Sequence, residues 1–294
     1  MGIGTWLLFG LAAAIGDAGA DAVTKRHLTH LSPYAMGLAR LLFTLPFLAL
    51  VGLGLTRPAL DAAFWWTVAA MVPLELAAML MYMQALRVCH LSLCIPFLAF
   101  TPVFMILTGQ VILGEGLNRW GLLGVAAIAG GSYILSMGSE WTGFWAPFKA
   151  LIRERGPGLM LGVALLYSLT AAMFKKAVLH SDPAFFGVFY PMLLGGIMLG
   201  GYPLVREPRG LTLKFIWGWG LLMGFFVALS ILSVARGFTL APAAYMISVK
   251  RLSLLFSVLL GGMWLKERPF LPRLLGVILM CGGVIIIALK GALF

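Results

Sequence analysis

A duplication constrains this chain more than any other feature of it. Phe104, Gly109, Leu113, Glu115, Gly124, Val125, Gly131 and Ile134 recur as the same residue types 152 positions later, as Phe256, Gly261, Leu265, Glu267, Gly276, Val277, Gly283 and Ile286. An earlier stretch repeats at an offset of 150, pairing Lys25 with Lys175, His30 with His180, Pro33 with Pro183 and Gly37 with Gly187. The chain is one unit of about 145 residues written twice. In an apolar chain with few loops, such a duplication marks secondary transporters, which build two faces from two similar halves.

The apolar character is strong. Hydrophobic residues make up 62% of the sequence and charged residues 11%, against about 25% charged in a soluble globular domain. The apolar residues fall in blocks of roughly 16 to 23, the length that crosses a hydrocarbon core about 30 Å thick. The alternating ten-residue pattern of a β-barrel is absent from the sequence. The first block follows Met1 with no basic leader and no small-residue cleavage pattern, so it reads as a retained span rather than a signal peptide. The net charge of +11 comes from basic residues set between apolar blocks. That placement suits contacts with lipid headgroups and excludes a nucleic-acid-binding face. Cys89, Cys94 and Cys281 are scattered in or beside apolar blocks and read as small buried hydrophobes, with no metal-ligand or disulfide pattern.

Ten spans are predicted. The first half supplies 3–23, 34–55, 64–86, 92–113 and 120–137, and the second 158–174, 184–204, 215–234, 242–265 and 274–289. The fold class is all-α and polytopic, in three parts: a five-span repeat over 1–137, a charged interfacial connector over 138–157, and a second repeat over 158–294. Five is odd, so two copies joined by a connector that stays on one side lie in the membrane with opposite orientation. Inverted repeats place their binding site near the midplane, between the halves. Pro46, Pro73, Pro96, Pro102 and Pro191 lie inside spans and favour bends, and Pro96 with Pro102 marks the fourth span as a broken helix. Trp65, Trp66, Trp120, Trp217, Trp219 and Trp264 near span ends form an aromatic belt. The Gly196/Gly200 and Gly220/Gly224 pairs suit close helix packing. Counting Lys175 among the loop cations, the side bearing the termini carries fewer basic residues than the other, which would put the termini outside.

An ionisable side chain deep in a span costs about 2.5–3.5 kcal/mol on insertion scales, so each one needs a reason. Asp17, Arg40, Glu75, Lys250 and Arg251 stand out. Lys250 and Arg251 either line the central cavity and attract an anion, or pair with Asp17 and Glu75 to fix the bundle. Successive helical residues point about 100° apart, so both reach one spot only if the helix is locally distorted. Glu75, two residues after Pro73, is a candidate for proton coupling or structural pairing. Asp17 reads as lying toward the end of its span, with a structural or interfacial role. Arg40 reads as an anchor. Tyr82, Tyr133, Tyr167, Tyr190 and Tyr245 lie in spans and are candidate cavity-lining residues, offering an aromatic face and a hydroxyl, with Tyr82 and Tyr245 assigned to substrate. Glu115 and Glu267, duplicated at span ends, read as helix-end contacts. The sequence carries no nucleotide-binding Gly-Lys loop, no His-Glu-x-x-His metal motif and no Gly-x-Ser-x-Gly elbow, so no enzyme, cofactor or metal site is expected.

Several of these stretches resemble a known family. Tyr82-Met-Gln-Ala-Leu, Thr101-Pro-Val-Phe, Leu113-Gly-Glu115, Leu122-Leu-Gly-Val and Ala129-Gly-Gly are similar to the EamA repeat of the drug/metabolite transporter superfamily. Arg40-Leu-Leu-Phe matches that family's usual arginine, and Leu265-Lys-Glu267 with Leu274-Leu-Gly-Val repeats the pattern in the second half. The resemblance implies ten spans, alternating access, export or exchange of small metabolites, and cytoplasmic termini, the last in conflict with the charge count. Ser248-Val-Lys250-Arg251 departs from the usual apolar ninth span and resembles the Lys-Arg pair with which sugar-phosphate and nucleotide-sugar members hold a phosphate.

The expectation is a secondary transporter of the inner membrane, monomeric or weakly dimeric. It would take a small metabolite with an anionic group at Lys250 and Arg251, helped by tyrosines, with a proton or counter-substrate as the coupling partner. The alternatives are an exporter of cations or amino acids using Glu75 and aromatic faces, and a non-transporting membrane scaffold or lipid-handling protein.

Overall fold

The computed structural model describes residues 4–88, 97–136, 155–204, 213–256 and 271–291. Among them are ten α-helices and no strand. The first half holds α1 (Gly4–His27), α2 (Pro33–Gly52), α3 (Ala62–Val88), α4 (Thr101–Leu113) and α5 (Arg119–Ser136). The second holds α6 (Arg155–Leu179), α7 (Pro183–Gly201), α8 (Leu213–Phe238), α9 (Ala243–Lys250) and α10 (Leu271–Ile286). A π-helical turn, Ile287–Gly291, continues α10. Six of these helices are long and apolar enough to cross a membrane, and three shorter ones are equally apolar. In hydrocarbon an unpaired backbone group is costly, and a helix pairs nearly all of its own.

The duplication is visible in how the helices start. Ser32 Oγ accepts a hydrogen bond from the Ala35 amide at 3.1 Å, with Pro33 opening α2. At the repeat-equivalent position Asp182 Oδ1 accepts from the Ala184 and Phe185 amides at 2.8 and 2.9 Å, with Pro183 opening α7. Both use a capping side chain followed by proline at the first helical position, where the missing N–H costs nothing.

Packing follows a two-fold rule. α1 packs on α8 and α3 on α6, pairs that exchange when one repeat is mapped onto the other. α2 packs on α7, α4 on α9 and α5 on α10, each helix against its own repeat mate. The α5–α10 contact shows that the mates run antiparallel. A Cβ on Gly131 would lie 2.6 Å from the Gly276 carbonyl oxygen, and one on Gly283 would lie 2.6 Å from that of Gly124. Gly124 and Gly276 are repeat equivalents, as are Gly131 and Gly283, so the contact is reciprocal: early meets late on both sides. The two halves are thus inverted repeats, as the odd span count required.

Several local expectations change. Pro46, Pro73 and Pro191 lie within continuous helices and do not break them. Cys281 is exposed on α10 rather than buried, while Cys89 and Cys94 lie outside the described residues. Trp65, Trp66, Trp120, Trp217 and Trp219 are exposed, as a belt requires, and Trp264 lies outside the described residues. Gly220 and Gly224 pack against Phe43, but among the described residues a side chain at Gly196 or Gly200 would meet nothing, so that glycine face makes no helix contact there. Glu267 and most of the connector also lie outside the described residues.

Candidate functional site

Two helix interruptions bring the site together. Phe97 and Leu98 are helical, Ala99 and Phe100 form a turn, and α4 begins at Thr101. In the second half α9 ends at Lys250, Arg251 and Leu252 form a turn, and helix resumes at Ser253. The tightening bonds are repeat equivalents. The Phe100 amide donates to the Phe97 carbonyl at 3.1 Å, and the Leu252 amide to the Val249 carbonyl at 2.9 Å. The interruption in the first half falls just before Pro102, in the first turn of α4, in the span expected to be broken, while Pro96, the other proline of that expectation, lies outside the described residues. The one in the second half has no proline beside it.

The two adjacent basic side chains at this turn take different partners. Lys250 Nζ lies 3.1 Å from Asp17 Oδ2 on α1. Arg251 Nη2 donates to Thr101 Oγ1 at 2.7 Å, reaching from one interruption to the other. The Arg251 Nε is buried and has no hydrogen-bond partner among the described residues. Among the described residues no carboxylate forms an ion pair with this guanidinium.

A second layer of polar groups surrounds them. Asp17 lies in the middle of α1, which runs four residues beyond the predicted end of the span, so the interfacial reading of Asp17 does not hold. Its Oδ1 accepts a hydrogen bond from Ser230 Oγ of α8 at 2.6 Å. One turn along α1, Asp21 accepts from Arg40 Nη1 at 2.7 Å and from the Tyr82 hydroxyl at 3.1 Å. The Tyr82 and Tyr167 rings stand 6.1 Å apart. Glu75 lies beside the Thr170 hydroxyl of α6 and within electrostatic reach of Lys250. Tyr167 lies within the same reach of Glu75, Arg40, Asp21 and Arg251. Tyr190 on α7 is buried within electrostatic reach of Glu75, and its hydroxyl has no hydrogen-bond partner among the described residues.

Asp17, Arg40, Glu75, Tyr82, Lys250 and Arg251 therefore share one central cluster. Tyr245 does not join it. That side chain is fully buried, its ring 6.4 Å from Trp6 and its hydroxyl packed against Gly121. Asp21, Thr101 and Ser230 were not singled out in the sequence. Asp21 was within reach of a helical-face argument, since it lies four residues after Asp17 on the same side of α1. Thr101 and Ser230 carry no such signal, because a hydroxyl in a span is too common to stand out.

A separate cluster lies on the side of the membrane where the helices bearing the termini begin and end. Lys175 pairs with Glu115, donates to the Ala241 carbonyl at 2.6 Å and is 7% exposed in its side chain. Glu115 Oε2 accepts from the Ala243 amide at 2.7 Å, at the start of α9. Lys175 is thus a buried partner and not one of the loop cations used in the charge count. On the same side His180 Nδ1 lies 2.8 Å from Asp61 Oδ2, and the Phe64 amide donates to Asp61 Oδ1 at 2.8 Å. The Phe64 bond first, and then His180, holds the exposed Asp61 carboxyl below its ordinary range.

Comparison with known proteins adds the context. The model of the EamA-like transporter family matches residues 4–137 and again 155–289. A solved structure titled only "Crystal structure of protein" superposes with a TM-score of 0.77 at 14% identity, covering 99% of each chain, which shows a shared fold. No curated protein matches the sequence. Two family matches that fall on the two structural repeats account for nearly the whole length, and the chain belongs to the EamA-like transporter family of the drug/metabolite transporter superfamily, a family of multi-pass membrane transporters of small molecules.

Proposed function

We propose that this chain is a secondary active transporter, an exporter or exchanger, that carries a small metabolite bearing an anionic group. The halves 1–137 and 158–294 rock about the central cluster in alternating access, in the inner membrane of a bacterial-type cell. Arg251 is the anion-holding group. One observation carries this assignment: its guanidinium sits buried where the two interrupted helices meet and, among the described residues, is hydrogen-bonded to the neutral Thr101, leaves its Nε unbonded and touches no carboxylate, Asp17 and Asp21 acting on it only at longer range. A planar fork of donors with no carboxylate in contact matches a carboxylate or phosphate. Lys250, neutralised by Asp17, contributes to the field but is not itself the seat of the anion.

The test is exchange in proteoliposomes combined with a thermal-stability screen of metabolites sorted by charge. A ligand that binds only the folded state raises its apparent stability with occupancy. Stabilisation and exchange of a carboxylated or phosphorylated compound, lost in Arg251→Ala while the variant still folds, support the reading. Stabilisation by amines that survives Arg251→Ala and Lys250→Ala sinks it and moves the site to Glu75.

A further inference from the structure

The central cluster holds three acids, Asp17, Asp21 and Glu75, and three bases, Arg40, Lys250 and Arg251. Arg40 is bound to Asp21 at 2.7 Å and Lys250 to Asp17 at 3.1 Å. That leaves, among the described residues, one cation and one carboxyl outside any ion-pair contact. Arg251 is hydrogen-bonded to the neutral Thr101 with Asp17 and Asp21 only at longer range, and Glu75 lies beside the neutral Thr170 with Lys250 only at longer range. With all six groups ionised the cluster is neutral.

An anion on Arg251 would leave this cluster with one excess negative charge, where charge is poorly solvated. Protonating one carboxylate restores neutrality, and the three acids are not equivalent in this respect. A proton on Asp17 or Asp21 would strip Lys250 or Arg40 of its partner. A proton on Glu75 unpairs nothing. Its surroundings suit both forms: the neighbouring Thr170 hydroxyl can donate to a carboxylate or accept from a carboxyl, and the buried Tyr190 hydroxyl has no hydrogen-bond partner among the described residues. The titratable and charged groups facing Glu75 are Tyr167 from α6, Tyr190 from α7 and Lys250 from α9, the last engaged by Asp17.

We infer that Glu75 is a proton-binding site coupled to the anion at Arg251: each anion that binds brings one proton from solvent onto the Glu75 carboxylate, and both leave together. This inference rests on the anion reading of Arg251. By linkage, each ligand must tighten the other's binding by the same factor.

The experiment uses the full chain in detergent and methanesulfonate, a monoanion whose own charge is constant across the working pH range. Sodium chloride at equal ionic strength is the control. Binding is read from thermal stability, and proton uptake from a pH dye in weakly buffered solution. The wild type should take up as much as about one proton per bound anion, and its affinity should fall by up to about tenfold per pH unit on the alkaline side. Glu75→Gln, a neutral mimic of the protonated group, should bind without proton uptake and without pH dependence. Glu75→Asp should keep the uptake and move the pH at which affinity falls. Wild-type binding with no uptake, uptake that persists in Glu75→Gln, or an unmoved profile in Glu75→Asp overturns the proton site and leaves the anion reading standing. Absence of methanesulfonate binding, or binding indifferent to Arg251→Ala, overturns the anion reading and the proton site with it.

Discussion

Arg251, in the interruption after α9, donates to Thr101, the first residue of α4 after the interruption in the other repeat, at 2.7 Å. The two residues stand 150 positions apart and close the junction at which the inverted halves meet. Thr101→Val keeps the shape and removes the acceptor, which leaves a buried guanidinium with one bond fewer. The expected cost is about 1–3 kcal/mol, read as a lower melting temperature in detergent. Any anion that binds Arg251 should restore more stability to this variant than to the wild type.

The Lys175–Glu115 pair should behave non-additively. Lys175→Ala leaves a largely buried carboxylate without its cation, which typically costs about 3–5 kcal/mol. Lys175→Met with Glu115→Leu removes both charges and should cost less than the single change. It should not recover fully, because Glu115 also holds the Ala243 amide at the start of α9. Thermal unfolding of the two singles and the double measures this coupling.

The α5–α10 seam should tolerate no side chain. Gly131→Val forces a methyl-bearing carbon against the Gly276 carbonyl, an overpacking worth about 1–3 kcal/mol. Gly130→Ala, at a neighbouring position where a Cβ meets nothing, should be neutral or slightly stabilising, since glycine inside a helix costs roughly 0.5–1 kcal/mol relative to alanine. Melting temperatures of the two variants side by side separate the seam from general effects of replacing glycine.

Asp61 should matter at neutral pH and fade in acid. Its folded-state carboxyl titrates below the ordinary value because the Phe64 amide and His180 favour the charged form. The stability it contributes is therefore fully present above the unfolded-state value and is lost as pH falls through the folded one. Asp61→Ala should lower the melting temperature at neutral pH, and the gap from wild type should close as acid protonates Asp61. A gap that stays constant with pH would remove the electrostatic explanation.

The repeat, the all-helical membrane class and the inverted arrangement were legible in the residues alone. Each rests on properties that survive projection onto a line: a constant offset, apolar length and an odd count. The helix starts at Ser32-Pro33 and Asp182-Pro183 were legible in kind, since capping involves residues two or three apart in sequence. The interruption near Pro102 could be read from proline chemistry, whereas its mate at Arg251 could not, because no local residue type announces it.

Which charges meet depends on how the helices pack. The order of residues alone places Asp17, Arg40, Glu75, Lys250 and Arg251 within apolar spans, where each needs a partner. It left open whether the basic pair serves a ligand or the bundle. The fold divides them: Lys250 turns to Asp17 on a helix more than two hundred residues earlier, while Arg251 turns to Thr101 and keeps a donor unbonded among the described residues. The physical reason is geometric. Adjacent side chains on a helix diverge by about 100°, so their partners lie on different neighbouring helices, and only the packing of the two halves specifies which neighbours those are.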